Sequence, residues 1–388
     1  MPETKTILIA PLHWGLGHAT RCIPIIDALL LDGFDVLLGS DGSALLLLQK
    51  QFPDLESIEL PSYQIEYAKK GGSFKWKMLL RSPKVIKAIK AERKLIKQLV
   101  ADGKINGVIS DNRLGLYHQS IPTVFITHQL QVLSGSTTKL TSALHRKYIK
   151  RFDVCWVPDL EGSQNLSGKL GHPKNLDFPV SYIGPLSRMR NKKCEVIYDI
   201  MVLLSGPEPQ RTELDELLMH ELKHFKGKVL FVQGIFEEKQ RVQRQGHIEI
   251  VNFMETEGLE AAINSSALIL CRSGYTTIMD LAAMGKKAFF IPTPGQTEQE
   301  YLAKRLKKQG IAPNSAQDDF SIKQLSKAAR YSGLGSFFEG SSGVVDLQGL
   351  FGLFKGEGKL RAHPKITFHI NLFVMRLNNV LDDGKPQS

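Results

Sequence analysis

The chain has 388 residues, of which 42% are hydrophobic and 23% are charged, and its formal net charge at pH 7 is +11. This composition is that of a soluble globular protein, and the length allows two domains that each bury a core. The four cysteines are far apart and form no CxxC pair, which argues against a zinc site and a disulfide framework. The excess of positive charge indicates a polyanionic partner: nucleic acid, an anionic membrane surface or phosphorylated substrates.

The first apolar segment of the chain is too short for a signal peptide. Residues 6–11 run directly into a glycine-rich turn, and the later apolar run 44–48 is far shorter than a membrane span. Scattered thiols of this kind fit a reducing compartment. We therefore expect a cytoplasmic protein.

Short apolar strands alternate with helical patterns in the first half of the chain. Strands are predicted at 6–10, 35–39, 108–110, 123–127 and 154–157, and the first helix at 19–31. The alternation starts again with strands at 200–204, 228–233, 248–251, 267–271 and 288–291 and helices at 213–224, 276–284 and 298–309. Strands separated by helices form parallel, doubly wound sheets.

The predicted fold class is therefore α/β, with two Rossmann-like doubly wound domains that face each other across a cleft. We predict an N-terminal domain at 1–184, a C-terminal domain at 185–330 and a tail of undetermined structure at 331–388. Gly184 and Pro185 would form the hinge between the domains.

A glycine turn follows the first strand and opens the first helix. Gly15 and Gly17 allow close approach of a ligand to the backbone, and the free N–H groups at the helix start attract anions. His18 lies at this helix start, where its pKa can be tuned toward a general-base role. A tight turn with a solvated histidine fits the same spacing equally well.

The second domain repeats this strand–turn–helix arrangement. Ser273 and Gly274 form a turn after a buried strand, and Thr276 and Thr277 offer hydroxyls beside N–H groups suited to a diphosphate. Asp280, about one turn later, could accept hydrogen bonds from ribose hydroxyls. Simple capping of the helix is the competing interpretation.

Two further loops follow strands of the same predicted sheet. Residues 292–300 contain Gln296, Glu298 and Gln299, whose donors and acceptors suit sugar hydroxyls, and Ser205 with Gly206 could support phosphates. Each loop alone could be an ordinary surface turn. Because these loops should face one crevice, together they favour a binding site.

These motifs together resemble the GT-B glycosyltransferases of the MurG-like group, family 28. The resemblance spans most of residues 5–330. The matching residues are Gly15, Gly17, His18, Arg272, Gly274, Thr277, Asp280, Pro294, Gln296 and Gln299. It implies an inverting hexosyltransferase that moves a sugar from a UDP-sugar, UDP-GlcNAc-like in type, to a hydroxyl of a lipid-linked or cell-envelope glycan acceptor.

The resemblance also implies roles for individual residues. The backbone around Ser273, Gly274, Tyr275, Thr276 and Thr277 would hold the diphosphate, with Arg272 in the same motif. Asp280 would bind the ribose, and Phe253 and Met254 would lie beside the uracil. Gln296, Glu298 and Gln299 would contact the donor sugar, and His18 would be the base. His128 corresponds to a second histidine of the N-domain. No metal or other cofactor is expected, because helix N-termini can stabilise the leaving diphosphate.

Two alternatives remain open from the sequence. The stretch from Gly15 to Cys22 also resembles related UDP-sugar hydrolases, in which such a histidine activates water. A nucleotide-sugar-binding protein without catalysis is the other alternative.

A basic segment occupies residues 69–104, with twelve lysines and arginines against only Glu92 and Asp102. Part of it has an apolar stripe at helical spacing, so it is either a solvated helix face or a docking face for an anionic membrane. The latter would make the protein peripheral at the inner face of the membrane. No nucleic-acid motif accompanies the charge. Asp111 and Arg113, which follow a predicted strand, are candidate acceptor contacts, with an internal Asp–Arg pair as the alternative.

Overall fold

The computed structural model describes residues 4–63, 82–206, 208–235, 237–337 and 348–355. Within them the chain forms two sheets, each flanked by helices.

The first sheet has seven parallel strands in the order β3-β2-β1-β4-β5-β6-β7. They are β1 Thr6–Pro11, β2 Asp35–Ser40, β3 Ser57–Glu59, β4 Gly107–Asp111, β5 Thr123–Ile126, β6 Val154–Val157 and β7 Val180–Tyr182. Its helices are α1 Gly17–Leu31, α2 Gly42–Gln51, α3 Pro83–Ala101 and α4 Thr138–Ile149. The strands are largely buried because helices cover both faces of the sheet.

The second sheet has the order β10-β11-β9-β8-β12-β13, in which only the β10–β11 pairing is antiparallel among the described strands. They are β8 Tyr198–Leu203, β9 Val229–Val232, β10 Val242–Gln245, β11 Ile248–Val251, β12 Ser266–Cys271 and β13 Ala288–Phe290. Its helices are α5 Gln210–Leu222, α6 Thr256–Asn264, α7 Tyr275–Ala283 and α8 Thr297–Lys308.

Each sheet has one point at which its strand order reverses. In the first sheet β1 and β4 are neighbours, and in the second β8 and β12 are neighbours. Ligands of open α/β sheets bind beyond the carboxyl ends of the strands at such points. The glycine motifs predicted from the sequence lie in the turns after β1 and β12.

The two doubly wound sheets confirm the predicted fold class. Each strand predicted from an apolar run is present, with ends that differ by a few residues. Several elements were not predicted, among them β3, β7, β10, α2, α4 and α6. The three strands lie at or next to sheet edges, where fewer side chains are buried and the apolar signal is weaker.

The last described segment, residues 348–355, packs against the first sheet. It includes the short helix α9, Gly352–Lys355. Phe351 and Phe354 are buried in the cluster that also contains Trp156, and the ring of Phe34 contacts both in edge-to-face geometry. The chain thus returns to its N-terminal sheet after completing the second one. The apolar stretch 365–377 lies outside the described residues.

The helix predicted inside the basic segment is present as α3. Ile89, Ile96 and Leu99 are buried as expected, whereas Ile86 is exposed. The part of the basic segment at 69–81 lies outside the described residues. None of the described helices is both long enough and apolar enough to cross a membrane.

Candidate active site

A cleft separates the carboxyl ends of the two sheets and is lined from both sides. The N-terminal side contributes Trp14, Gly17, His18, Arg21, Asn112, His128 and Gln129. The C-terminal side contributes Tyr275, Thr276, Gly295, Gln296, Thr297 and Glu298. Residues far apart in sequence therefore share one site.

His18 lies in the first turn of α1, with its side chain 14% exposed. Its Nδ1 is 2.9 Å from Oδ1 of Asp111, at the end of β4. Asp111 is fully buried, and β1 pairs with β4 so that Pro11 lies beside Asp111. The strand order therefore brings the histidine and its carboxylate together. Nε2 of His18 has no hydrogen-bond partner among the described residues.

Arg21 joins this pair from the next turn of α1. It is 1% exposed, and its guanidinium donates to both carboxylate oxygens of Asp111. Its Nη2 is 2.8 Å from Nδ1 of His18, and its Nη1 is 3.4 Å from Nδ1 of His128. A buried charge is costly unless it is paired, and here Arg21 and Asp111 neutralise each other.

This arrangement shifts the pKa values of the buried groups. Burial lowers the pKa of His18, and the nearby positive charge of Arg21 lowers it further, against the opposing effect of Asp111. Burial alone would raise the pKa of Asp111, but Arg21 and His18 hold it well below its usual value. At neutral pH the site therefore contains an ionised Asp111 and an uncharged His18.

The opposite wall of the cleft is the start of α7. Gly274 is its N-cap, and no described side chain caps the helix with a hydrogen bond. Oγ1 of Thr276 is 3.4 Å from the carbonyl oxygen of Gly17. A Cβ added to Gly17 would lie 2.8 Å from the same Oγ1, so this position requires glycine when the walls are this close. The N-termini of α1 and α7 thus meet across the cleft.

Further contacts between the two sides surround this meeting point. Glu298, at the start of α8, accepts hydrogen bonds from His128, with 2.9 Å to its Nε2, and from Gln129. The ring of Tyr275 stacks on that of His128 with centroids 4.1 Å apart, and its hydroxyl donates to the carbonyl of Pro158 at 2.8 Å. Glu298 and His128 were predicted as sugar or acceptor contacts, and in this structure they bind each other.

The remaining predicted donor residues lie around the same wall. Oε1 of Gln299 accepts from the backbone N–H of Thr293, and its amide nitrogen donates to Gln296. Ser273 is buried, and its hydroxyl donates to the carbonyl of Gln299, which ties the two loops together. Thr277 is half-buried on the first turn of α7.

Asp280 lies further along α7 and faces the segment that connects the two sheets. Its Oδ1 accepts a hydrogen bond from Ser187 at 2.7 Å. Burial raises the pKa of Asp280 to about 6, while Ser187 and Arg188 act in the opposite direction. This carboxyl is therefore ionised at neutral pH but close to its titration range.

Other predicted positions lie outside the cleft lining named above. Ser205 and Gly206, after β8, are exposed, and Gly206 has a φ of +106°. Phe253 is buried and Met254 half-buried after β11. Gly15 is exposed with a φ of +77°, which accounts for a glycine in the turn after β1.

Three predicted contacts require correction. Asp111 and Arg113 are fully buried and do not present their charges to an acceptor. Asp111 holds His18 and Arg21, and Arg113 pairs with Asp41 and with Glu92, the latter at 3.0 Å. These partners are distant in sequence, and the free-energy cost of burying a lone charge explains why the residues pair with one another.

Arg272 is the third correction. Its side chain is 1% exposed, and it donates to the backbone carbonyls of Ile291, Pro292 and Gln210. It therefore holds the loop after β13 and the start of α5 together through the hydrogen bonds of its buried side chain, instead of contacting a nucleotide.

Arg21, Trp14 and Asn112 also line the cleft, and none of them was predicted from the sequence. Arg21 is three residues after His18, a spacing that places both on one face of a helix, and this could have revealed it. Asn112 has a φ of +59°, and its amide lies 3.3 Å from Asp111. No group of three or more potential metal ligands occurs among the described residues.

Part of the chain matches a known family, and most of its length is similar to known proteins. The glycosyltransferase family 28 C-terminal domain matches residues 214–332, which include β12, α7 and the loop before α8. The UDP-N-acetylglucosamine–N-acetylmuramyl-(pentapeptide) pyrophosphoryl-undecaprenol N-acetylglucosamine transferase of Haemophilus ducreyi is 22% identical over 333 residues. The match covers 83% of this chain and 88% of that enzyme.

Two solved structures share the fold. The glycosyltransferase of kitacinnamycin superimposes with a TM-score of 0.62 at 12% identity, over 91% of this chain and 100% of that chain. MurG of Acinetobacter baumannii gives a TM-score of 0.52 at 16% identity, over 90% of this chain and 99% of the other.

The fold and the family match define the class of protein: this chain is a glycosyltransferase with the GT-B fold. Residues 214–332 match the family 28 C-terminal domain, and over most of its length the chain is similar in sequence to the MurG-like transferase of Haemophilus ducreyi.

Proposed function

We propose that the chain is an inverting transferase that moves a sugar from a UDP-sugar to a hydroxyl group, with His18 as the general base. The observation that carries the proposal is the His18–Asp111 pair. Nδ1 of His18 lies on a buried carboxylate, so its Nε2 remains available to the cleft that α7 lines from the other side. The pKa of His18 is lowered, mainly by burial, so its base form is present at neutral pH.

The reaction is a single displacement. Nε2 of His18 takes the proton of the acceptor hydroxyl as that oxygen forms a bond to the anomeric carbon of the donor. The bond from the anomeric carbon to the diphosphate oxygen breaks, and UDP leaves with the electron pair. Asp111 stabilises the imidazolium that forms, because it stays ionised.

The start of α7 is the proposed site of the leaving diphosphate. Its first N–H groups and the hydroxyls of Thr276 and Thr277 would stabilise the charge that develops on UDP. Asp280 would accept hydrogen bonds from the ribose hydroxyls, and Gln296 with Gln299 would contact the sugar. This arrangement supplies the charge stabilisation from the protein itself, so the proposal requires no metal ion or other cofactor.

The related transferase of Haemophilus ducreyi is named for a UDP-N-acetylglucosamine donor and a pyrophosphoryl-undecaprenol acceptor. On this basis we propose a UDP-GlcNAc-like donor and a lipid-linked or cell-envelope glycan acceptor. The enzyme would then work in the cytoplasm, at the inner face of the membrane.

The exposed face of α3 supports the membrane part of the proposal. Lys87, Lys90, Lys94 and Lys97 are exposed and fall on one side of the helix. Anionic lipids attract such lysines by about 1 kcal/mol each.

Incubation of the purified protein with a panel of UDP-sugars, with and without hydroxyl acceptors, tests the function. We expect UDP release that depends on an acceptor, and His18→Ala should lower turnover by about 10²- to 10⁴-fold while donor affinity is retained. Equal turnover in His18→Ala would remove His18 from the mechanism. UDP release at the full rate in water alone would identify a hydrolase, and tight binding without release a binding protein.

A further inference from the structure

Arg21 contacts both members of the His18–Asp111 pair. Its guanidinium lies within hydrogen-bond distance of both the Asp111 carboxylate and the His18 ring, and its side chain is almost fully buried. The remaining contacts of Asp111 are weaker: Asn112 at 3.3 Å and the thiol of Cys22 at 3.8 Å. Arg21 is thus the main counter-charge of Asp111.

Nδ1 of His18 lies between two opposite groups. It is 2.9 Å from Oδ1 of Asp111 and 2.8 Å from Nη2 of Arg21. A ring nitrogen can donate to the carboxylate or accept from the guanidinium, but it cannot do both at once. The balance between these two neighbours therefore decides where the proton of the neutral ring resides, and only the form with hydrogen on Nδ1 leaves Nε2 able to accept a proton.

The charges around His18 come from three elements. Asp111 faces it from the end of β4, Arg21 from the next turn of α1, and His128 from the loop after β5. Asp111 alone would favour an imidazolium. Because Arg21 already donates to both oxygens of this carboxylate, Asp111 stabilises an imidazolium at His18 less than it would without Arg21.

We propose that Arg21 is a positioning residue that keeps His18 uncharged, so that the base form persists below neutral pH. Its effect is exerted through Asp111 and through direct repulsion of a protonated ring. The catalytic consequence rests on the proposed role of His18, whereas the effect on the protonation of His18 does not.

The pH dependence follows from the sign of the charge that is removed. Without Arg21, the Asp111 carboxylate would pair with His18 alone and stabilise the imidazolium, so protonation would persist to higher pH. The deprotonated ring is the active form. In the plot of kcat/KM against pH, the fall on the acidic side would therefore occur at higher pH. Turnover lost at pH 6 would be recovered at higher pH.

A titration of His18 by long-range ¹H–¹⁵N NMR tests this directly, with the signals assigned by His18→Gln. In the wild type we expect a midpoint below the ordinary value of about 6.5 and a neutral ring with hydrogen on Nδ1. In Arg21→Gln the midpoint should rise by about one to three pH units. Arg21→Lys, which keeps the charge, should largely restore the wild-type midpoint.

Arg113→Gln is the matched control. Arg113 is also fully buried in the first domain and paired with carboxylates, but no hydrogen bond joins it to His18 among the described residues. Its loss should reduce stability and leave the titration of His18 unchanged.

A midpoint that stays in place in Arg21→Gln would overturn the proposal. If that variant does not fold, the wild-type titration decides, since a midpoint above about 6.5 would also overturn it. An unmoved midpoint combined with an inactive His18→Ala would reject the role of Arg21 and retain His18 as the base. A raised midpoint with a fully active His18→Ala would retain the role of Arg21 and reject His18 as the base.

Discussion

The helix starts at α1 and α7 have the same architecture but different polar surroundings. Both follow a buried strand at a reversal of strand order, both begin at a glycine-containing turn, and neither has a described side-chain cap or an acidic residue in its first turn. Behind α1 lies a buried network of Asp111, Arg21 and two histidines. Thr276, in the first turn of α7, instead contributes a hydroxyl at the cleft surface.

In the proposed mechanism this difference lets one structural unit provide two functions. An ionised carboxylate beneath the first helix start can take up the charge of a protonated histidine, so that wall suits proton transfer. The start of α7 instead offers the hydroxyl of Thr276 beside its N–H groups, so the other wall suits a leaving diphosphate. In the proposed reaction the first wall acts on the attacking hydroxyl and the second on the leaving diphosphate, so both depend on the closeness of the walls.

The closeness of the walls can be disturbed by one methyl group. Gly17→Ala places a Cβ about 2.8 Å from Oγ1 of Thr276, so the walls must separate by several tenths of an ångström to relieve the overlap. Displacement of reacting groups on this scale lowers turnover steeply, and we expect a loss of kcat/KM of about tenfold to a hundredfold. Steady-state kinetics with acceptor present measures it.

A double variant shows whether the contact across the cleft is responsible. Thr276→Ala removes the atom that the new methyl group would meet, so the combined Gly17→Ala/Thr276→Ala loss should be smaller than the product of the single losses. Strictly multiplicative losses would mean that Gly17 and Thr276 act separately and that the walls do not approach during turnover.

Asp280 tests the wall that would bind the donor. Asp280→Asn should weaken UDP binding by about 1.5 kcal/mol, slightly more than tenfold, because hydrogen bonds to a charged acceptor are lost. The pKa of Asp280 is raised to about 6, chiefly by burial. Wild-type affinity should therefore fall as the pH decreases from 7.5 to 5, as the carboxylate becomes protonated.

Calorimetric titration with UDP across this pH range measures both effects. The variant should lose the part of the pH dependence that Asp280 contributes, while Asp318→Asn, at an exposed position of the same domain, should behave as wild type. Identical pH curves for Asp280→Asn and the wild type would make Asp280 a residue of the helix alone.

The fold was predictable because its core strands are nearly continuous apolar runs. Residues 7–11 and 269–271 are buried on both faces of their sheets, and such apolar runs identify parallel strands without knowledge of their partners. β10 is exposed along its length and carries Arg244 and two glutamines, so no hydrophobic signal distinguishes it from a loop. Its strand state depends on pairing with β11, which the sequence does not display.

The site was predictable only in part, for a related physical reason. His18 and Thr276 occur in local motifs, and a strand–turn–helix pattern places them at a cleft. The roles of Asp111 and Arg113 depend on pairing of buried charges with residues as distant as Arg21 and Asp41. Both follow the same strand and both are charged, so nothing local indicates that they lie under the surface instead of on it.

The smallest expected effect on turnover concerns the outer surface of the acceptor side. If the first wall receives a lipid-linked acceptor, the basic face of α3 should matter and a basic face on the donor side should not. Replacing Lys87, Lys90 and Lys94 with glutamine should reduce sedimentation with vesicles that contain anionic lipid, by up to about 1 kcal/mol per lysine. Turnover of a water-soluble acceptor should be unchanged.

The matched control lies on α8 of the second domain, where Lys304, Lys307 and Lys308 are also exposed. Replacing these three with glutamine removes the same net charge and should leave vesicle binding largely intact. Equal losses from the two sets would indicate attraction by total charge alone, without a docking face. Salt screens long-range attraction, whereas a docked face keeps its contacts with the lipid. At 0.5 M salt, the difference in vesicle binding between the two variants, taken as a fraction of the binding that remains, should therefore be larger.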